Sequence, residues 1–522
     1  MLPLMPCSNA QNADSKPGKI LLVLPFENRT GQPNLEWLRE AAPEVLNARL
    51  SAAGFSPIST ADRLYAFDHL GLPPNYQPTR ASSLRLAQTL DVDSIIVGSY
   101  ITNGTGIIVE AQLIDLPHLR MSPALSARGE MTDLLTIFDQ LSWQLARQLD
   151  PSISVAEQTF VAAGAGLRLD AFEQFIRGVT EPDHNERLEH LRRATLLSPN
   201  YSRAWMALGR ELFSSEQYEE AAAAFSHVQR SDPDFLEAGF DRGVALVISG
   251  KYDEAEQAFA DVARVLPLPE VLNNQAVAQS RRGQDATGLF RNAVLADPNL
   301  PDFHFNLAVS LHRHNRATEA LAELKEALRL RAADEEAQNL LNAWEPANAQ
   351  QTNATNGGKA AMARPDPLER IDRTFNAAAF RQAAQMMDQM QSARRAELTP
   401  HDRALSLTAE ARDYLNRGLL LEAERLYRSA IEIDATLSAA HTGMGEIRER
   451  TGDLDSARAE ARTSLRFEST AEAWLLLARI ELAGNHLDAA TSDINEALKL
   501  EPANRLAIEL RSTIAQKQGN HE

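Results

Sequence analysis

Only one cysteine, Cys7, occurs in the 522 residues. That excludes an intramolecular disulfide and any zinc site built on several thiolates. No apolar run approaches the roughly 18 residues needed to cross a bilayer. The strongest near the start, Ile20 to Phe26, has the length of a strand. Aromatic residues are scarce, at 6%, while Ala, Leu, Glu and Arg recur in long stretches, a balance that favours helices. Positive charge is also in deficit. The net charge is −19, and such a surface repels phosphate backbones, so nucleic acid is not an expected partner.

Sequences that carry chemistry are missing too. There is no H-E-x-x-H and no G-x-S-x-G. A phosphate loop needs converging backbone amides plus Lys and a hydroxyl. Asn28-Arg29-Thr30-Gly31 offers one glycine, no Lys-Ser/Thr pair follows, and Pro33 removes an amide. The stretch reads instead as a polar turn leading into a helix over 34–53 capped by Asn34. Gly164-Ala165-Gly166 has no third glycine and no preceding strand, so it reads as a hinge. His312 and His314 are two apart on a helix and point in different directions. Asp91 and Asp93 flank a strand start, where solvated or capping roles are the ordinary ones. No catalytic residue, cofactor or metal ligand is expected, and the chain reads as a non-enzyme.

What is present is a repeat. Pro199, Pro233 and Pro267 are spaced 233 − 199 = 34 and 267 − 233 = 34. One unit carries Trp205, Leu208-Gly209, Leu212, Tyr218, Ala221, Phe225 and Pro233. Gly209 and Ala221 are small where two antiparallel helices cross, large apolar residues fill the space around them, and Pro233 ends the second helix. This pattern resembles the tetratricopeptide repeat. The next unit has Gly243, Leu246, Gly250, Tyr252, Ala255, Phe259 and Pro267. Shorter or degenerate units surround these two, giving about five from Leu167 to Asp334 with a capping helix to Trp344. Residues 345–366, small, polar and rich in Gly, Asn and Gln, read as a flexible linker. A second block over 367–518 opens with a divergent helical pair over 367–398, in which Leu368, Ile371, Phe375, Phe380, Ala384 and Met387 share a face. About three repeats and a capping helix follow.

Residues 18–150 differ. Ile20–Phe26, 55–60, 94–102, 107–116 and 124–129 read as strands, the third and fourth joined by the turn Asn103-Gly104-Thr105-Gly106. Helical spacing marks 34–53, 81–90 and 131–149. The fold class expected is therefore a mixed α/β domain, a mixed sheet with flanking helices, followed by an all-α solenoid in two blocks. The segments VLPFENRTG, DVDSIIVGSY and VEAQLID resemble the amino-terminal domain of the translocation protein TolB and its relatives in bacterial repeat proteins. That resemblance implies an envelope or regulatory interaction module. Residues 1–17, with Ser8-Asn9-Ala10 as a small-x-small site, read either as the remainder of a secretory signal or as a disordered tail. Export to a bacterial periplasm is the expectation, with the cytoplasm as the alternative.

In the solenoid the first helix of each pair faces the concave groove. Repeat register places Arg203, Met206, Arg210, Phe240, Val244, Asn273, Val277, Phe305, Val309 and His312 there. Phe and Met beside Arg suit a protein or peptide partner, extended or helical, although periodic apolar positions also complete inter-repeat packing. Some tetratricopeptide proteins clamp a terminal carboxylate with Lys and Asn. Met206 and Arg210 stand in those places here, which speaks against such a clamp. The expected function is an interaction scaffold with the α/β domain as a second docking module. The alternative is a sensor whose α/β domain binds a small ligand and signals through the repeats.

Overall fold

The computed structural model describes residues 19–73, 80–118, 120–230, 232–345 and 367–519. The reading of 1–17, Cys7, and the linker from residue 346 onwards lie outside them. The chain forms two compact units, Met1–Ile176 with Arg395–Glu522, and Arg177–Arg394.

The first unit opens with a mixed sheet. Its strands are β1 (Ile20–Val23), β2 (Glu27–Asn28), β3 (Ser56–Pro57), β4 (Ser94–Asn103), β5 (Gly106–Asp115), β6 (Arg120–Met121) and β7 (Leu125–Glu130). β1 lies between β3 and β4, parallel to both. β2 runs parallel to the far end of β4. β4 and β5 form a long antiparallel hairpin closed by Asn103 opposite Gly106, with Gly104 at φ +65° in the turn. β6 and β7 both pair antiparallel with β5. Leu21, Leu22 and Val23 are buried, as a strand paired on both sides and covered on both faces requires. The helices are α1 (Leu38–Ala52), α2 (Thr60–His69), α3 (Arg80–Leu90), α4 (Leu134–Leu149) and α5 (Glu157–Ala162). α4 lays Leu134, Ile137, Phe138, Leu141 and Leu145 against the core.

One local expectation is corrected here, and two helices are added. Asn34 is not a cap: it sits in a 3-10 turn, Pro33–Leu35, and α1 starts after Trp37 without a side-chain cap. α2 was not read from the sequence, although Ser59 caps it by accepting from the Asp62 amide. Just before Gly164-Ala165-Gly166 stands α5, another helix the sequence reading lacks, and a Cβ on Gly164 would collide with the Asp139 carboxylate.

The second unit is a stack of helical pairs. α6 (Leu169–Thr180), which contains the division between units, is followed by α7 (His184–Leu197), α8 (Ser202–Ser214), α9 (Tyr218–Phe225), α10 (Phe235–Ile248), α11 (Tyr252–Val265), α12 (Pro269–Arg281), α13 (Thr287–Ala296), α14 (Pro301–Arg313), α15 (Ala317–Leu330) and α16 (Glu335–Trp344). The crossings are as tight as the small residues imply. A Cβ on Gly209 would lie 2.5 Å from the Phe225 ring, and one on Gly243 2.6 Å from Phe259. α9 already ends at Phe225, so Pro233 is not what stops it. α11 by contrast ends at Val265, two residues before Pro267, where the residue preceding proline is extended. Asp334 caps α16 by accepting from the Ala337 amide at 3.0 Å.

The expected helical pair over 367–398 is corrected most. Residues 367–376 form neither helix nor strand, and one helix, α17 (Ala377–Ala396), follows. Residues 367–394 belong with the first helical block and not with the second. The spacing of Leu368, Ile371 and Phe375 matched a helix by coincidence: Leu368 is 64% exposed.

The rest of the first unit is α18 (Pro400–Asn416), α19 (Leu420–Ile433), α20 (Ser438–Arg450), α21 (Leu454–Phe467), α22 (Ala471–Ala483), α23 (Leu487–Leu500) and α24 (Arg505–Gly519). Its core, with Leu407, Ala411, Tyr427 and Met444, also receives Ala162 and Ala163 from the end of α5. At this joint the Glu424 carboxylate, fully buried, accepts from Arg448 at 2.7 and 3.2 Å, from Arg428 at 2.7 Å and from the Ala156 amide at 3.2 Å. Arg448 also donates to the Thr159 hydroxyl at 2.8 Å.

Candidate functional site

The first helices of successive pairs repeat their register, so equivalent side chains form rows along the inner face of the second unit. Asn273 of α12 and Asn306 of α14 are 33 residues apart and joined by a hydrogen bond of 2.8 Å. Phe240 of α10 stands one period earlier in the same row. Along this row lies the segment 367–376, called the strap below.

The strap's backbone is held by carboxamides. Asn306 Oδ1 accepts from the Arg370 amide at 2.7 Å, and its Nδ2 donates to the Arg370 carbonyl at 2.7 Å. Asn274 does the same for Asp372, at 2.9 and 2.7 Å. Asn273 adds a second donor to the Arg370 carbonyl at 3.2 Å. A carboxamide presents one donor and one acceptor side by side, as a strand's peptide group does. Two residues apart on an extended chain, Arg370 and Asp372 turn their peptide groups to the same side. The groove thus pairs with the strap as a neighbouring strand would.

Side chains of the strap fill separate pockets. The Glu369 carboxylate is fully buried, accepts from Ser280 and Arg313, and faces Arg281 Nε at 4.0 Å. Arg281 and Arg313 also donate to the carbonyls of Glu369 and Pro367 at 2.8 and 2.7 Å. On the other side Arg370 reaches Asp302 at 2.7 Å, Asp334 at 2.5 and 2.8 Å and Glu336 at 2.9 Å. Its guanidinium lies 3.7 Å from the centre of the Phe305 ring, a cation–π contact. Burial opposes the charge on Arg370, and the three carboxylates more than restore it, so its pKa is raised. Asp334 is correspondingly held below the usual carboxylate range by its hydrogen bond from Arg370. At the far end Phe375 packs on Phe240 with centroids 5.6 Å apart, and Glu270 accepts from the Asn376 amide at 3.2 Å.

Of the ten residues expected in the groove, Phe240, Asn273 and Phe305 touch the strap. Met206, Val244, Val277 and Val309 are buried within the helical layers. Arg210 pairs with Glu237 at 2.6 Å, Arg203 lies within electrostatic reach of Asp232, and His312 stacks on Trp344 at 3.9 Å. Missed were Asn274, Asn306, Ser280, Arg281, Arg313 and the acidic trio around Arg370. The Asn273–Asn306 recurrence was legible as a signal, because a polar residue kept at a buried repeat position needs a polar partner.

Asp241, on α10, titrates unusually. Burial first, and the Glu237 charge second, push its carboxyl up to about 7 against the opposing effect of Arg210. The folded protein therefore holds this proton more tightly than the unfolded chain does. Stability from this group is complete at low pH and is lost as pH rises from about 4 to about 7. Asp241→Asn should match the parent at pH 4 and exceed it by about 2 kcal/mol at pH 8, a figure discounted for partial exposure. Urea denaturation at the two pH values checks this, and an unchanged gap would refute it.

In the opening loop the amides of Arg29, Thr30 and Gln32 are already used, the first by the Tyr100 carbonyl at 3.0 Å. Thr30 N donates to Asn28 Oδ1 at 3.0 Å and Gln32 N to the Thr30 hydroxyl at 3.0 Å. Among the described residues no group of three or more His, Cys, Asp or Glu side chains could hold a metal, and no helix is long and apolar enough to cross a membrane.

Paired antiparallel helices with glycines under aromatic rings, stacked so that equivalent side chains form an inner row, define a helical-repeat solenoid. Residues 206–266, 275–336 and 442–505 match the tetratricopeptide repeat family, so the chain contains tetratricopeptide repeats in both its helical stretches. No curated protein matches it in sequence. Similar solved structures include the first tetratricopeptide domain of human RPAP3, with 23% identity over 23% of this chain and 96% of that one at a TM-score of 0.22. MamA from Desulfovibrio magneticus RS-1 has 19% identity over 32% and 99%, at 0.29. The LpoB C-terminal domain from Salmonella enterica has 22% over 23% and 89%, at 0.20.

Proposed function

We propose that this chain is a non-enzymatic protein-interaction scaffold whose first repeat block binds an extended segment of a partner protein, with the α/β domain as a second docking module. The observation that carries the reading is the strap: the groove already holds a segment of this chain by backbone pairing at Arg370 and Asp372 and by side-chain pockets. Such pairing is a general way to hold a peptide, with backbone bonds giving affinity and pockets giving specificity. The resemblance of residues 18–150 to the TolB amino-terminal domain supports a bacterial setting, and we place the scaffold in the periplasm on that ground.

The test uses the full chain with the groove opened by Glu369→Ala and Arg370→Ala, screened against random ten-residue peptides. Binders should emerge, and adding Asn274→Ala and Asn306→Ala should weaken them about 30-fold or more. Four backbone hydrogen bonds are then lost, each worth about 0.5–1.5 kcal/mol. Circular dichroism checks that the variants remain folded. A screen that yields no binder would overturn the reading.

A further inference from the structure

The strap also specifies what the groove is built to take. We propose that it is a resident stand-in for the partner, and that the partner presents an extended segment with Glu, then Arg, then an aromatic residue five places after the Arg, which exchanges with it. This rests on the peptide-scaffold reading above and deepens it.

Three observations fix the chemistry. First, the pocket for Glu369 closes over the carboxylate completely, with Ser280 and two arginines around it. A buried carboxylate is costly unless paired, and the same arginines are costly to leave facing an uncharged or basic side chain. Second, the next pocket is its electrostatic opposite, with Asp302, Asp334 and Glu336 around the guanidinium and Phe305 beneath it. A planar fork that stacks and bonds at once selects Arg over Lys. Third, the Phe240 face takes an aromatic ring five residues further on, where Phe375 sits. Because the amides of Arg370 and Asp372 donate to Asn306 and Asn274, proline is excluded at both places.

The strap competes from within the same chain. Covalent attachment holds it at an effective concentration on the order of a millimolar, so a free segment with micromolar intrinsic affinity meets a largely occupied groove. The interaction is therefore gated: a partner must match the pockets better than the strap does, or bind a second site on the scaffold at the same time.

The experiment titrates a labelled peptide, PLERIDRTFN, and a version with Glu and Arg exchanged, by fluorescence anisotropy. The proteins are the parent chain, the Glu369→Ala/Arg370→Ala chain, and a chain with 367–376 replaced by Gly and Ser. Both altered chains should bind the native peptide at least about tenfold more tightly than the parent. They should bind it about 100-fold more tightly than the exchanged peptide. Equal binding by parent and altered chains would show that the strap does not compete. Equal binding of both peptides would show that the pockets do not select. Either result overturns this inference and leaves the peptide scaffold standing. Altered chains that fold but bind neither peptide would overturn both.

Discussion

Replacing Arg448 by Met should uncouple α5 from the repeats that follow Arg395, at a cost of about 3–5 kcal/mol. The reason is the partner left behind. Glu424 is fully buried, and its charge would lose two of its hydrogen bonds, while the Thr159 hydroxyl would lose its donor. Hydrogen exchange of residues 157–162 in the full chain should quicken by about 100-fold or more, since opening this joint exposes those amides. Adding Glu424→Leu should recover most of the loss, because a buried ion pair replaced as a whole by apolar groups is often nearly neutral. An unchanged exchange rate in the single variant would refute the assignment. Burial raises the Glu424 carboxyl, and the hydrogen bonds and charge of Arg448 more than reverse this, leaving its pKa lowered. A lowered folded-state pKa gives stability that is present above the usual carboxylate range and lost as pH falls through it. The same amides should therefore lose protection under acid conditions, after correction for the intrinsic exchange rate.

Phe259→Ala should cost about 3–5 kcal/mol and weaken the strap as well. The ring is fully buried at the α10–α11 crossing, against the bare backbone of Gly243. It meets Phe240 edge-on, with centroids 5.8 Å apart and planes at 70°. Phe240 in turn carries Phe375. Truncation leaves a cavity directly under the groove floor, and Phe240 is free to sink into it. Urea denaturation reads the first effect, and faster proteolysis within 367–376 reads the second. Phe259→Leu should restore more than half of the stability. If Phe259→Ala proves as stable as the parent, the crossing is not closely packed and Gly243 is small for another reason.

The repeats were legible because their physics is local and periodic. Gly209 and Gly243 fall under Phe225 and Phe259 one period apart, and apolar spacing alone reveals such a row. The sheet was legible through its alternation and its Gly-containing turn. The strap was not, because its partners lie far away in sequence: Arg370 meets Asn273 across 97 residues and Asp372 meets Asn274 across 98. Nothing within 367–376 distinguishes a chain held by carboxamides from an amphipathic helix. The pockets were missed for a related reason. Consensus reasoning follows the apolar positions, whereas Ser280, Arg281, Arg313 and Asp334 act through hydrogen bonds and charge.

The first unit is assembled from Met1–Ile176 and Arg395–Glu522, with the whole of the second unit spliced between them. Synthesis runs in one direction, so the two finish in reverse order. The inserted solenoid, including its strap, can close on itself while the last 128 residues (522 − 394) are still to be made. Glu424 and Arg448 arrive only then. Until they do, Thr159 lacks its donor from Arg448, and a chain cut short anywhere between 395 and 448 carries a finished groove together with an unfinished first unit.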